Sequence, residues 1–139
     1  MADIVVATDA DWVFAEVEAA LEGSDQSVTR AHSGREVLTA VAASPPVLVV
    51  LDLQIGNMGG MATCLALRLE EGAGRLPGVP ILMLLDREPD VFLARRSNAD
   101  GWVIKPLDSF RLRKAAAALM AGGRYEEGVP AHAPAPLPS

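Results

Sequence analysis

Val47-Leu48-Val49-Val50-Leu51-Asp52-Leu53 is an unbroken apolar run that ends by presenting a carboxylate. A Val/Leu run without polar alternation suits a strand buried on both faces, as in the middle of a parallel sheet covered by helices. An ionised Asp inside such a run would cost several kcal/mol if unpaired, so its place is the C-terminal mouth of the strand, where the chain meets solvent. In open α/β sheets that edge is where ligands bind. The glycine-bearing stretch Gln54-Ile55-Gly56-Asn57-Met58-Gly59-Gly60 follows and permits tight turning.

The same pattern repeats on either side. Pro80 opens a second continuous run, Ile81-Leu82-Met83-Leu84-Leu85, with Asp86 at its exit. Upstream, Ile4-Val5-Val6-Ala7 leads into the acidic turn Thr8-Asp9-Ala10-Asp11. Gln26 to Ala31 alternates weakly, as a strand near a sheet edge does. Gly101-Trp102-Val103-Ile104 is the last strand and ends at Lys105-Pro106, where proline blocks further pairing.

Helical spacing fills the intervals. Val13, Phe14, Val17, Ala20 and Leu21 form an apolar stripe closed by Gly23. Ser33 caps the next helix, with Glu36 as its capping-box partner, Val37, Leu38 and Val41 on the buried side, and Pro45-Pro46 as the stop. A third runs from about Met58 to Glu71 and ends at Gly72 and Gly74. Pro89 to Arg96 makes a short helix, with Pro89 tolerated in the first turn. Asp108 or Ser109 caps an Ala-rich helix through about Met120. Five strands alternating with five helices on short connections call for a doubly wound, three-layer α/β domain with a parallel sheet. The glycines after Asp52 lack the spacing of a dinucleotide fingerprint, and no internal repeat is present.

The 139 residues suit one domain, read as 1–121, followed by a flexible Gly/Pro/Ala-rich tail over 122–139. A formal charge of −6 argues against a nucleic-acid surface, which needs clustered Lys and Arg. The single cysteine, Cys64, lies in an apolar helical pattern and reads as a small buried hydrophobe. With no secretory leader and no apolar run near the roughly 20 residues of a membrane span, the expectation is a cytoplasmic protein without a membrane partner.

If the strands are parallel, Asp9, Asp52, Leu85 and Lys105 gather at one edge. Two neighbouring carboxylates repel, and a hard cation such as Mg²⁺ relieves this, with water and the Gln54 carbonyl completing the shell. The Lys105 ammonium would pair with Asp52 at rest and contact a phosphoryl group once Asp52 had acted as nucleophile. A plainer reading stands beside it: acids at strand ends also cap helices, and Lys105 can simply bridge to a neighbouring acid. Asp11 fits the plainer reading, as a first-turn charge favourable to the helix dipole.

An apolar strand into an acidic turn, VVLDLQIGNMGG, a Pro-led apolar strand and ADGWVIKPL together resemble the response-regulator receiver domain of two-component signalling, over about residues 2 to 121. The ADGWVIKP segment is the most specific part. The resemblance implies strand order 2-1-3-4-5, Asp52 as phosphoacceptor, Asp9 and the Gln54 carbonyl as Mg²⁺ ligands with Asp52, Lys105 as the phosphoryl contact, and Leu85 and Trp102 at the switch positions.

Several positions depart from that family pattern. Thr8 stands where an acid usually precedes Asp9, so Mg²⁺ is expected to bind weakly or not at all. Leu85 stands where Thr or Ser usually donates to the phosphoryl group. A hydrogen bond to a charged acceptor is worth about 1.5–3 kcal/mol, against about 5.5 to move a two-state equilibrium from 1:99 to 99:1, so much of the switching drive is lost. Gly56 and Gly59 replace a proline and an acid, and the segment from Leu85 to Trp102 is about two residues short, which predicts a truncated fourth helix. Phe92, Leu93, Arg95, Arg96 and Trp102 lie in or near it and read either as a mixed apolar and basic partner patch or as an ordinary half-buried helix.

The expectation is therefore a stand-alone, atypical receiver that takes a phosphoryl group on Asp52 from a histidine kinase or phosphotransfer protein and alters contact with an output protein. It is not an enzyme beyond its own phosphorylation and hydrolysis. The alternative is a pseudo-receiver that signals through association without phosphorylation. Monomer and homodimer remain equally open.

Overall fold

The computed structural model describes residues 2–56 and 58–128. The strands are β1 (Ala2–Ala7), β2 (Gln26–Ala31), β3 (Leu48–Asp52), β4 (Ile81–Leu85) and β5 (Gly101–Ile104). They form one parallel sheet in the order β2-β1-β3-β4-β5. The helices are α1 (Asp11–Leu21), α2 (Gly34–Ala43), α3 (Gly60–Gly72), α4 (Val91–Arg96) and α5 (Ser109–Met120).

The central strands are buried at every position, yet their side chains still divide with period two. Val5, Val49, Leu51, Ile81, Met83, Leu85 and Trp102 join residues of α2, α3 and α4 on one face. Ile4, Val6, Leu48, Val50, Leu82, Leu84 and Val103 join residues of α1 and α5 on the other. Each fully buried Val or Leu contributes about 1.5–3 kcal/mol, so burial on both faces, rather than alternation, dictates these strands.

The caps follow local chemistry. Ser33 Oγ accepts from the Glu36 amide at 3.2 Å and Asp108 Oδ1 from the Arg111 amide at 2.9 Å. β1 starts two residues before the apolar run because Ala2 and Asp3 pair with Gln26 and Ser27. The fourth helix is short, as the segment length predicts: α4 has six residues and follows a 3-10 turn over Glu88–Asp90 that carries Pro89. At the start of α3, a Cβ on Gly60 would lie 2.4 Å from the Asp52 carbonyl oxygen, so glycine lets this helix close on the end of β3.

The expected flexible tail requires correction at its beginning. Tyr125 bridges in parallel to Gly101, and Glu127 accepts hydrogen bonds from β5, so packed structure continues past residue 121. The composition suggested disorder, but the outer edge of β5 has free amides that the segment satisfies. The rest of the expected tail, 129–139, lies outside the described residues, as does Asn57 in the loop after Asp52.

Candidate functional site

Register builds the site. Ala7 pairs with Leu51, so the next residues out, Thr8 and Asp52, lie side by side where β1 and β3 end. Leu85 pairs with Ile104, which puts Lys105 just beyond the end of β4. The loop ends then bring side chains together that are 44 and 53 positions apart in the chain.

Asp52 is only 1% exposed and accepts three hydrogen bonds. Its Oδ1 accepts from Lys105 Nζ at 2.7 Å and from the Gln54 amide at 3.2 Å, and its Oδ2 accepts from the Thr8 hydroxyl at 2.7 Å. Thr8 Oγ1 in turn accepts from the Ala10 amide at 3.0 Å. Lys105 Nζ also donates to Asp86 Oδ1 at 2.8 Å, while Asp86 Oδ2 accepts from the Gln54 side-chain amide at 3.0 Å. Burial alone would lower the Lys105 pKa, but the bonds from Asp52 and Asp86 outweigh it and hold the ammonium above its ordinary value. Burial would likewise raise the Asp86 pKa, and the Lys105 and Gln54 bonds hold it below the usual range.

Asp9, Asp52, Gln54 and Lys105 line a common open cleft of about 410 Å³, with Ala10, Trp12, Ile55 and Gly56. Asp9 is exposed, and its Oδ2 accepts from the Gly56 amide. The Lys105 ammonium sits 5.8 Å from the centroid of the Trp12 ring, which is half exposed. Leu85 and Trp102 lie outside this cleft. Both are fully buried in the same core cluster. Trp102 therefore adds no exposed surface to the α4 patch, where Phe92, Arg95 and Arg96 are exposed, and lies beneath it with the Arg95 guanidinium 5.8 Å from its ring centroid. The bulk of the indole goes to the core because β5 presents alternate residues to the α4 side.

The sequence reading missed three contributors. Thr8 was read only as a missing acid, although its hydroxyl directly fills a carboxylate lone pair. Asp86 figures in the sequence only as a strand exit, and Trp12 carries no sequence signal that sets it apart, yet both face the cleft or its lysine. The signal for Asp86 was present in its position immediately after an apolar run, the same placement as Asp52.

For a hard cation the donors fit, but sparsely. Asp52 accepts three bonds of the roughly four a carboxylate offers, which leaves one lone pair on Oδ2, and Asp9 faces the same cleft. Among the described residues no group of three or more His, Cys, Asp or Glu is arranged to hold a metal ion.

The model of the response regulator receiver domain matches residues 4–117. The chain belongs to that family. Among curated proteins, this receiver is 38% identical over 112 residues to the DNA-binding response regulator MtrA of Mycolicibacterium smegmatis, an alignment covering 79% of this chain and 44% of that protein. It is 27% identical over 128 residues to the transcriptional regulatory protein AfsQ1 of Streptomyces coelicolor. The receiver thus spans about half the length of the curated relatives it matches. Among solved structures it resembles a response regulator of Chloroflexus aurantiacus, with a TM-score of 0.77 at 24% identity over 86% of this chain and 98% of that one. It also resembles the chemotaxis response regulator CheY4 of Vibrio cholerae, with a TM-score of 0.74 at 23% identity over the same shares. At these identities the structural likeness establishes the fold. Receiver domains act in two-component signalling, generally with Mg²⁺ and as signalling modules rather than enzymes.

Proposed function

We propose that this receiver accepts a phosphoryl group on Asp52 from a histidine kinase or phosphotransfer protein and signals by changing a protein contact. The observation that carries the reading is the Lys105 ammonium shared between Asp52 and Asp86 at the mouth of the sheet. A carboxylate oxygen of Asp52 attacks phosphorus, the P–N bond of the phosphohistidine breaks, and its electron pair leaves with the imidazole. Lys105 lies where it can follow the charge from the carboxylate to the phosphoryl oxygens, while Asp86 keeps it ionised. The side chains of Asp9 and Asp52 with the Gln54 carbonyl would hold Mg²⁺, whose chemistry is to offset phosphoryl charge.

Two residues favour a weakened version of this cycle. Thr8 spends an Asp52 lone pair that a cation would use, and Leu85 has no hydroxyl to donate to a phosphoryl group. These same residues support the second reading, a receiver that signals through association alone. Incubation with acetyl phosphate and millimolar Mg²⁺, followed by intact-mass measurement, separates the two. An adduct of one phosphoryl mass that disappears in Asp52→Ala is expected. No adduct in the parent chain would remove the phosphoacceptor reading and leave the association reading standing.

A further inference from the structure

The segment after α5 crosses the outer edge of β5 and closes on it. The two amides β5 turns outward both find acceptors there: Trp102 N donates to the Tyr125 carbonyl at 2.9 Å and Ile104 N to Glu127 Oε1 at 2.9 Å. The Trp102 indole Nε1 donates to the Glu127 carbonyl at 2.8 Å, and the Tyr125 hydroxyl to Glu127 Oε2 at 2.8 Å. Gly101 makes room, since a Cβ at that position would lie 2.5 Å from the Tyr125 carbonyl oxygen.

Glu127 is also anchored from below. Its side chain is 15% exposed, and Oε1 accepts from Arg111 Nη1 at 2.6 Å. Arg111 further donates to the carbonyls of Ile104 and Pro106, the residues on either side of Lys105. A continuous set of hydrogen bonds therefore runs from the segment, through Glu127 and Arg111, to the backbone that carries the Lys105 ammonium.

We propose that residues 124–128 are a strap latched by Glu127 and Arg111, and that these two act as positioning residues which hold Trp102 inward and fix the Lys105 loop. Release of the latch frees the edge of β5 and the indole together. Three residues separate the strap from α5, so any partner that pulls on the strap acts on the switch position Trp102 through one carboxylate. Neither the latch nor its test requires a phosphodonor, so a failure of Asp52 to be phosphorylated leaves the test intact.

The measurement is hydrogen exchange at the Trp102, Ile104 and Lys105 amides, with Val50 and Leu82 in the central strands as internal references. Alongside it, acrylamide quenching is read in a Trp12→Phe background, where Trp102 is the sole tryptophan. Glu127→Ala is expected to speed exchange at the two edge amides, Trp102 and Ile104, at least about tenfold and to make Trp102 quenchable, with Val50 and Leu82 unchanged; the Lys105 amide, which donates to the Leu85 carbonyl of β4, reports whether the Lys105 loop loosens with them. Glu127→Gln, which retains an acceptor for Ile104 N, should recover part of that protection. Gly101→Ala, whose Cβ would press on the Tyr125 carbonyl and on Leu119 Cδ1 without touching Glu127, should speed exchange at the same edge amides, with Val50 and Leu82 again showing whether the effect stays local. Unchanged edge amides in Glu127→Ala would overturn the proposal. So would equal acceleration at Val50 and Leu82, which would make Glu127 a contributor to global stability and nothing more.

Discussion

At opposite ends of the sheet a basic side chain lies between two carboxylates. At the C-terminal mouth it is Lys105 between Asp52 and Asp86, and at the N-terminal end it is Arg68 between Glu71 and Asp100. Arg68 is used up: its guanidinium also donates to the carbonyls of Asn98 at 3.0 Å and Val79 at 3.1 Å, and Asp100 Oδ2 takes the Ile81 amide at 2.8 Å as well. Four of five fork donors are thus committed in a rigid plane that ties α3 to the entries of β4 and β5. Lys105 is a point charge on a flexible stem, facing an open cleft. The same charge pattern makes a rigid tie in one place and an adaptable ion pair in the other because donor geometry differs, not exposure: the two basic side chains are 20% and 14% exposed.

The largest effect should come from breaking the rigid tie. Arg68→Met leaves Asp100 without its counter-charge and two carbonyls without donors, so chemical denaturation should show a loss of about 2–3 kcal/mol. A loss below about 0.5 kcal/mol would mean that this end is no such tie.

A third cluster, Arg111 between Asp108 and Glu127, sharpens the comparison through Tyr125. Burial first, and then the hydrogen bond to Glu127, push the Tyr125 phenol up to about 12, with Glu127 and Asp108 raising it and Arg111 opposing them. The folded pKa lies above the ordinary value near 10, so this contact is at full strength below pH 10 and fades as pH rises towards about 12. Tyr125 is the chain's one tyrosine, so tyrosinate absorbance reads it directly. A midpoint near 10 would show that the strap does not shelter it.

At the Lys105 end the effects on stability should be small. Asp52→Asn keeps its oxygen as the acceptor for Lys105 and the Gln54 amide while its amide nitrogen can donate to Thr8 Oγ1, and Lys105 retains its bond to Asp86, so the unfolding free energy should change by no more than about 1 kcal/mol while any phosphoryl adduct is lost. A cost near that of Arg68→Met would erase the distinction between the two ends. Smallest of all, Asp86→Asn should cost under about 1 kcal/mol at pH 7, because Asp86 is part-exposed and screened. The Asp86 pKa is lowered in the fold, so this difference is present above the ordinary carboxylate pKa and disappears as pH falls through the folded value. A difference that grew towards acid pH would contradict that sign.

Most of the fold was legible in the residues. Two apolar runs without alternation marked the central strands, and caps, prolines and glycines punctuated the helices, because these signals act within a few residues of chain. Asp52, Lys105 and Asp9 were legible as candidates for a related reason: an acid or a lysine at the end of a buried strand has only the mouth of the sheet to occupy, and that is where these three line one cleft, with Gln54 brought in two residues after Asp52. The strap was not legible, since a Gly-rich, charged segment after a helix reads as solvent-exposed by composition.

The sequence by itself determined the alternation of strands and helices, the ends of the elements and the carboxylate that terminates β3. Tertiary structure decided how that carboxylate is satisfied: whether Thr8 merely lacks a charge or donates its hydroxyl, which acid shares Lys105, and where the edge amides of β5 find acceptors. Local propensity and burial act over a turn or a strand, whereas these partners lie between 19 and 53 residues apart and meet only once the sheet register is set.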